Sequence, residues 1–138
     1  MRFMMIVRAT PDTEAGVMPT EEELATMGAF NEEMVKAGIL LDGAGLKASA
    51  HGALVRFGGE GGPVVVDGPF AEAKELIAGY WIVDVKSRDE AIAWARRAPM
   101  AAGDAIEIRQ LFEAEDFGES EAVARMYELE DEIAARTK

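Results

Sequence analysis

Two short segments, Phe3-Met4-Met5-Ile6-Val7 and Gly79-Tyr80-Trp81-Ile82-Val83-Asp84-Val85, are apolar at odd and at even positions. A strand sends successive side chains to opposite sides, so a sheet built on these two shuns water on both faces. Any fold for this chain must supply two covers. Helices supply the first. Pro19-Thr20-Glu21-Glu22-Glu23 sets a hydroxyl three residues ahead of a carboxylate, the spacing that satisfies orphan amides at a helix start. It predicts a helix from about Glu21 to Ala37, with Leu24, Met27, Met34 and Val35 on one stripe, Phe30 beside it and Gly38 as the stop. Ser87-Arg88-Asp89-Glu90 repeats the spacing and opens a shorter helix ended by Pro99, with Ile92 and Ala95 on its stripe. Two helices blanket one face of a four- or five-stranded sheet. The second face requires either the sheet of an identical subunit or the chain's own tail.

The remaining segments fill in the order. Residues 10–18 read as a polar loop, and Asp42-Gly43-Ala44-Gly45 as a bend after Ile39-Leu40-Leu41. Ala53 to Phe57 and Val64 to Val66 form a hairpin around Gly58-Gly59-Glu60-Gly61-Gly62. Those glycines make no phosphate cradle, because they join two strands and lack the Gly-Lys-Ser/Thr that follows in one. Ala105 to Phe112 alternates as a strand. Ser120 to Arg136 places Val123, Met126, Tyr127, Glu130 and Ile133 at helical spacing. Strand, helix, hairpin region, strand, helix, strand is the order of an α+β, ferredoxin-like split βαβ sandwich. Pairing sheet to sheet with a twin gives a homodimer resembling a barrel, a dimeric α+β barrel. The expected division is a domain over 1–117 and an acidic C-terminal amphipathic helix over 118–138.

Charge and composition narrow the function. Twenty-six acids against fourteen bases give −12, which opposes phosphate backbones and anionic lipid, so neither nucleic acid nor membrane is expected as a partner. Phe3 to Val7 is too short for a signal or a span, and a cytoplasmic protein is expected. The absence of cysteine removes thiolate chemistry, and a single histidine removes a zinc site of several imidazoles. No cofactor is expected.

Asp67 follows an apolar strand and precedes Gly68-Pro69. Its carboxylate reads as an acid or base at the mouth of the sheet, or as a turn acceptor of backbone amides. His51, the sole imidazole, reads as its partner or as exposed loop filler. Lys74 is an anion binder flanked by Glu72 and Glu75, unless all three are solvated charges. Arg8 and Arg109 point to a cavity or to ion pairs. Tyr80, Trp81 and Trp94 line a ligand pocket or pack the core. Asn31 offers a hydrogen bond or, the preferred reading, takes an exposed helix position.

The run Val66-Asp67-Gly68-Pro69-Phe70-Ala71-Glu72-Ala73-Lys74-Glu75, followed by Gly79-Tyr80-Trp81, resembles the signature of the DGPF branch of the YCII-related family. Ala9-Thr10, Glu14-Ala15-Gly16, Lys36-Ala37-Gly38, Ile106-Glu107-Ile108-Arg109 and Phe112 to Phe117 extend the resemblance to about residue 117. It implies a dimeric α+β barrel of ferredoxin-like subunits. It also implies an enzyme with a histidine and aspartate pair, as a related dehydrochlorinase uses this fold on a chlorinated hydroxyquinol, or an accessory module beside an extracytoplasmic-function sigma factor; the enzyme reading here is one of cofactor-free, lyase-like proton transfer near Asp67. Asp67 matches the family aspartate. The family histidine belongs near the first helix, and Glu21 to Ala37 contains none; the usual threonine is Ala73 here.

Overall fold

Alternation in the two apolar strands decides where the core sits. The computed structural model of the chain describes residues 1–69 and 75–136. Its main sheet has the order β2-β5-β1-β6, with β1 Arg2–Arg8, β2 Leu40–Gly45, β5 Ile77–Asp84 and β6 Ile106–Gln110, and every neighbouring pair is antiparallel. Two β-α-β units, each with a strand of the other between its own two, give this order. β3 Ala53–Arg56 and β4 Val64–Asp67 form a separate two-stranded sheet. Phe3 faces Val83 and Met5 faces Trp81 across β1 and β5. All four are buried, with Phe30 and Met34 of the helix α2 (Glu21–Lys36) and Ala91 of α3 (Arg88–Arg96) in the same cluster. The alternate residues Met4, Ile6, Tyr80 and Ile82 lie on the other face and remain half-buried.

Local chemistry starts and stops the helices. Thr20 and Glu23 exchange hydrogen bonds as a capping box on α2, and Gly38 adopts φ +73° after its last turn. On α3 the Ser87 hydroxyl accepts from the Glu90 amide at 3.1 Å, whereas the Glu90 carboxylate reaches back to the Lys86 amide at 2.8 Å. α4 (Glu121–Arg136) buries Val123, and is fastened where Tyr127 Oη donates to Glu115 at 3.0 Å and Arg2 lies 3.8 Å from Glu130.

Four readings change. The loop after β1 contains a short helix, α1 (Pro11–Glu14), because Thr10 and Thr13 cap it reciprocally and Pro11 presets its first turn. Asp42 to Gly45 belongs to an edge strand, not a bend. Its glycines allow close approach: a Cβ on Gly43 would sit 3.1 Å from Trp81 Cδ1, and one on Gly79 opposite would sit 2.9 Å from the Ala44 carbonyl oxygen. On α2, Phe30 is the buried centre while Leu24 and Val35 are exposed. Asn31 is half-buried, and its Oδ1 accepts from Trp81 Nε1 at 2.8 Å, so a position expected in solvent caps a buried indole.

Candidate functional site at the strand-exit end of the sheet

β1 and β2 end, and β5 and β6 begin, at one end of the main sheet, and the connecting segments gather there. The Arg8 amide donates to the Ala105 carbonyl at 3.0 Å and the Ala9 amide to the Leu76 carbonyl at 2.9 Å, which pins the exit of β1 between its neighbours. A cleft of about 420 Å³ opens there, lined by Arg8, Ala9, Thr10 and residues 103–107. Arg8 Nη1 donates to Glu107 Oε1 at 2.7 Å, and Arg109 Nη1 to Glu107 Oε2 at 3.3 Å. These two guanidiniums, Arg8 foremost, hold the Glu107 carboxyl below its ordinary range. The cleft thus presents an ionised carboxylate and a guanidinium side by side, with Asp104 on the same wall.

His51 and Asp67 come together through the backbone. A 3₁₀ turn, Ser49–His51, leads into β3, whose Ala53 pairs with Asp67 at the end of β4. The Gly68 amide donates to the Gly52 carbonyl at 3.0 Å, so the residues following each candidate are bonded to one another. Both side chains are exposed. Among the described residues no hydrogen bond joins the imidazole to the carboxylate, and neither side chain lines the cleft. The third element at this end is Glu14, whose carboxylate accepts from the Ser49 amide at 3.1 and 3.2 Å and from Ser49 Oγ at 2.7 Å.

Tyr80 lies further along β5 on the half-buried face. Its Oη donates to Asp42 Oδ2 at 3.3 Å, and the charge of Asp42 pushes the phenol up from its ordinary value. Lys74 and Glu72 lie outside the described residues, and Glu75 is exposed. Among the described residues no group of three histidine or acidic side chains converges to hold a metal ion, and no helix is long and apolar enough to cross a membrane. Sequence reasoning passed over Glu107 and Glu14 as site residues. Glu107 was legible only as one charge on a polar strand face, and nothing local announces a contact that Glu14 makes 35 residues away.

A family model for the YCII-related domain matches residues 1–115. The chain belongs to that family. Its helix α4 follows the matched region. A curated relative, the Uncharacterized protein R00369 of Rhizobium meliloti (strain 1021), is 37% identical over 76 residues, or 55% of this chain. That match spans 60% of the relative's length. Among solved structures, a similar chain is 5-chloro-2-hydroxyhydroquinone dehydrochlorinase (TftG) from Burkholderia phenoliruptrix AC1100, in complex with 2,5-dihydroxybenzoquinone. It is 14% identical with a TM-score of 0.45, over 81% of this chain and 94% of that one.

Proposed function

We propose that this YCII-related chain, of the DGPF branch by its Asp67-Gly68-Pro69-Phe70 run, binds or transforms a small molecule at the strand-exit end of its sheet. The cleft of about 420 Å³ beside Arg8 is the observation that carries the reading, since it is of ligand size and opens where polar groups converge. Arg8 holds an anionic or phenolate oxygen of the ligand, in exchange for part of its contact with Glu107. Asp67, with His51 as the second titratable group, would move the proton in lyase-like chemistry that needs no metal or organic cofactor; since neither side chain lines the cleft, this role requires a ligand that extends from Arg8 toward the hairpin. Tyr80, on the half-buried face, and Lys74, outside the described residues, are the further ligand-binding candidates.

Two copies place their half-buried faces together, Met4, Ile6, Tyr80 and Ile82 against their equivalents, and close a barrel. The test is a ligand screen by NMR with small carboxylates and phenols. Binding that shifts Arg8 and Thr10 resonances, and that Arg8→Ala weakens at least tenfold, supports the reading. Binding that survives Arg8→Ala unchanged removes it from this cleft.

A second reading, a noncatalytic accessory module for an extracytoplasmic-function sigma factor, draws on α4, which leaves Leu129 and Ile133 exposed on an acidic helix. Co-purification that depends on residues 118–138, with no ligand found, would favour it.

A further inference from the structure

From Pro11 to Thr20 every side chain is exposed except Glu14, which is half-buried. That carboxylate receives both polar hydrogens of Ser49, its amide and its hydroxyl, the shorter contact being 2.7 Å. Charge-assisted bonds to a carboxylate are about twice as strong as neutral ones, so a single side chain ties α1 to the turn that carries His51. The turn also carries bonds within its own backbone: the His51 amide donates to the Ala48 carbonyl at 3.0 Å and the Gly52 amide to the Ser49 carbonyl at 2.9 Å. Its last carbonyl, on Gly52, then accepts from Gly68, the residue after Asp67. One path of hydrogen bonds therefore runs from Glu14 through Ser49 and Gly52 to the Asp67 exit. Its other end adjoins the cleft, because Thr10, which caps α1, lines it.

We infer that Glu14 is a positioning residue, whose carboxylate fixes the His51 turn and the Asp67 exit relative to the cleft. The inference deepens the function proposed above and rests on its use of His51 and Asp67. Among the described residues neither side chain has a hydrogen-bond partner of its own, so the backbone that carries them sets where each can reach, and proton transfer needs the two groups within hydrogen-bond reach of the ligand. A clasp seated on the backbone leaves both side chains accessible.

The experiment exploits the single histidine, which gives one imidazole Cε1 proton signal. Glu14→Ala should move that signal toward the position of a free histidine and speed exchange of the Gly68 amide roughly tenfold, the scale set by losing a hydrogen bond to a charged group. Glu14→Gln keeps a carbonyl acceptor for the Ser49 amide and should retain most of the parent behaviour. Ser49→Ala, which removes only the hydroxyl, should act in the same direction by less. A purely structural tether would lower the melting temperature and leave the histidine signal and the Gly68 exchange of the folded protein where they were. That result for Glu14→Ala overturns the inference. The underlying reading fails separately: if Asp67→Asn does not move the His51 titration in the parent chain while Glu14→Ala still moves the signal, the clasp stands and the acid-base pair does not.

Discussion

The two faces of the four-stranded sheet are made by the same strands in the same register, yet they end in different states. On one, Phe3, Met5, Trp81 and Val83 disappear under α2 and α3, with Met5 and Val83 at 0% exposure. On the other, Met4, Ile6, Tyr80 and Ile82 stay half-buried, framed by Arg109 with Glu107 and by Asp42. Hydrophobicity is shared, and the difference lies in the frame. One face has α2 and α3 over it, whereas the polar groups at the margin of the other pair among themselves, Arg109 with Glu107 and Tyr80 with Asp42.

Met5→Ala, on the covered face, should cost about 2–5 kcal/mol in urea unfolding, because it removes a fully buried side chain from a packed core. Ile82→Asp, one residue from Trp81 but on the other face, should leave the monomer folded with a nearly unchanged melt, and should shift sedimentation at micromolar concentration to a 14.9 kDa species. A parent chain that already sediments as that monomer would end the barrel proposal. Asn31→Ala leaves the Trp81 indole N–H without its acceptor and should cost roughly 1–3 kcal/mol, with a change in tryptophan emission.

A smaller effect concerns the seam to the tail. Arg2 Nη2 donates to Glu113 at 2.8 Å and Nε at 3.0 Å; its guanidinium holds the Glu113 carboxyl below the ordinary 4.5, and Glu113 raises Arg2 in return. Folding therefore favours ionised Glu113, so this contribution is intact above that ordinary value and fades as pH falls through the lower folded one. Partial exposure limits it to about 1 kcal/mol or less. Acid also relieves the repulsion of a −12 chain. The readout is accordingly the difference between parent and Arg2→Ala melts, which should narrow between about pH 5 and pH 3. The smallest effect is spectroscopic: Asp42→Asn should bring one of the two tyrosines back down toward its ordinary 10.0 in an ultraviolet titration.

Much of this architecture could be read from residue order, because β1, β5 and the two capped helices obey local rules of alternation and end chemistry. β2 escaped because Gly43 and Gly45 look like bend residues. The tight fit of Gly43 shows only when Trp81 is placed opposite it, a pairing of residues more than thirty apart in the chain. Asn31 escaped for the same reason, since its partner is 50 residues away. At the candidate site, Asp67 and His51 stood out by chemical type. The hairpin that sets Ala53 opposite Asp67 was legible too, whereas the Glu107 bridge to Arg8 and the reach of Glu14 to Ser49 are products of tertiary folding that no local pattern encodes.

The space missing at Gly79 has a consequence for handling this protein. Opposite it the backbone of the outer strand comes so near that even a methyl group has nowhere to go, with 2.9 Å to the Ala44 carbonyl oxygen. Gly79→Ala would act as a wedge at the seam between β2 and β5, prising the outermost ribbon away. The uncovered rung of β5 would then be open to whichever chain arrives first, and such a variant should turn cloudy on warming well before its helices melt.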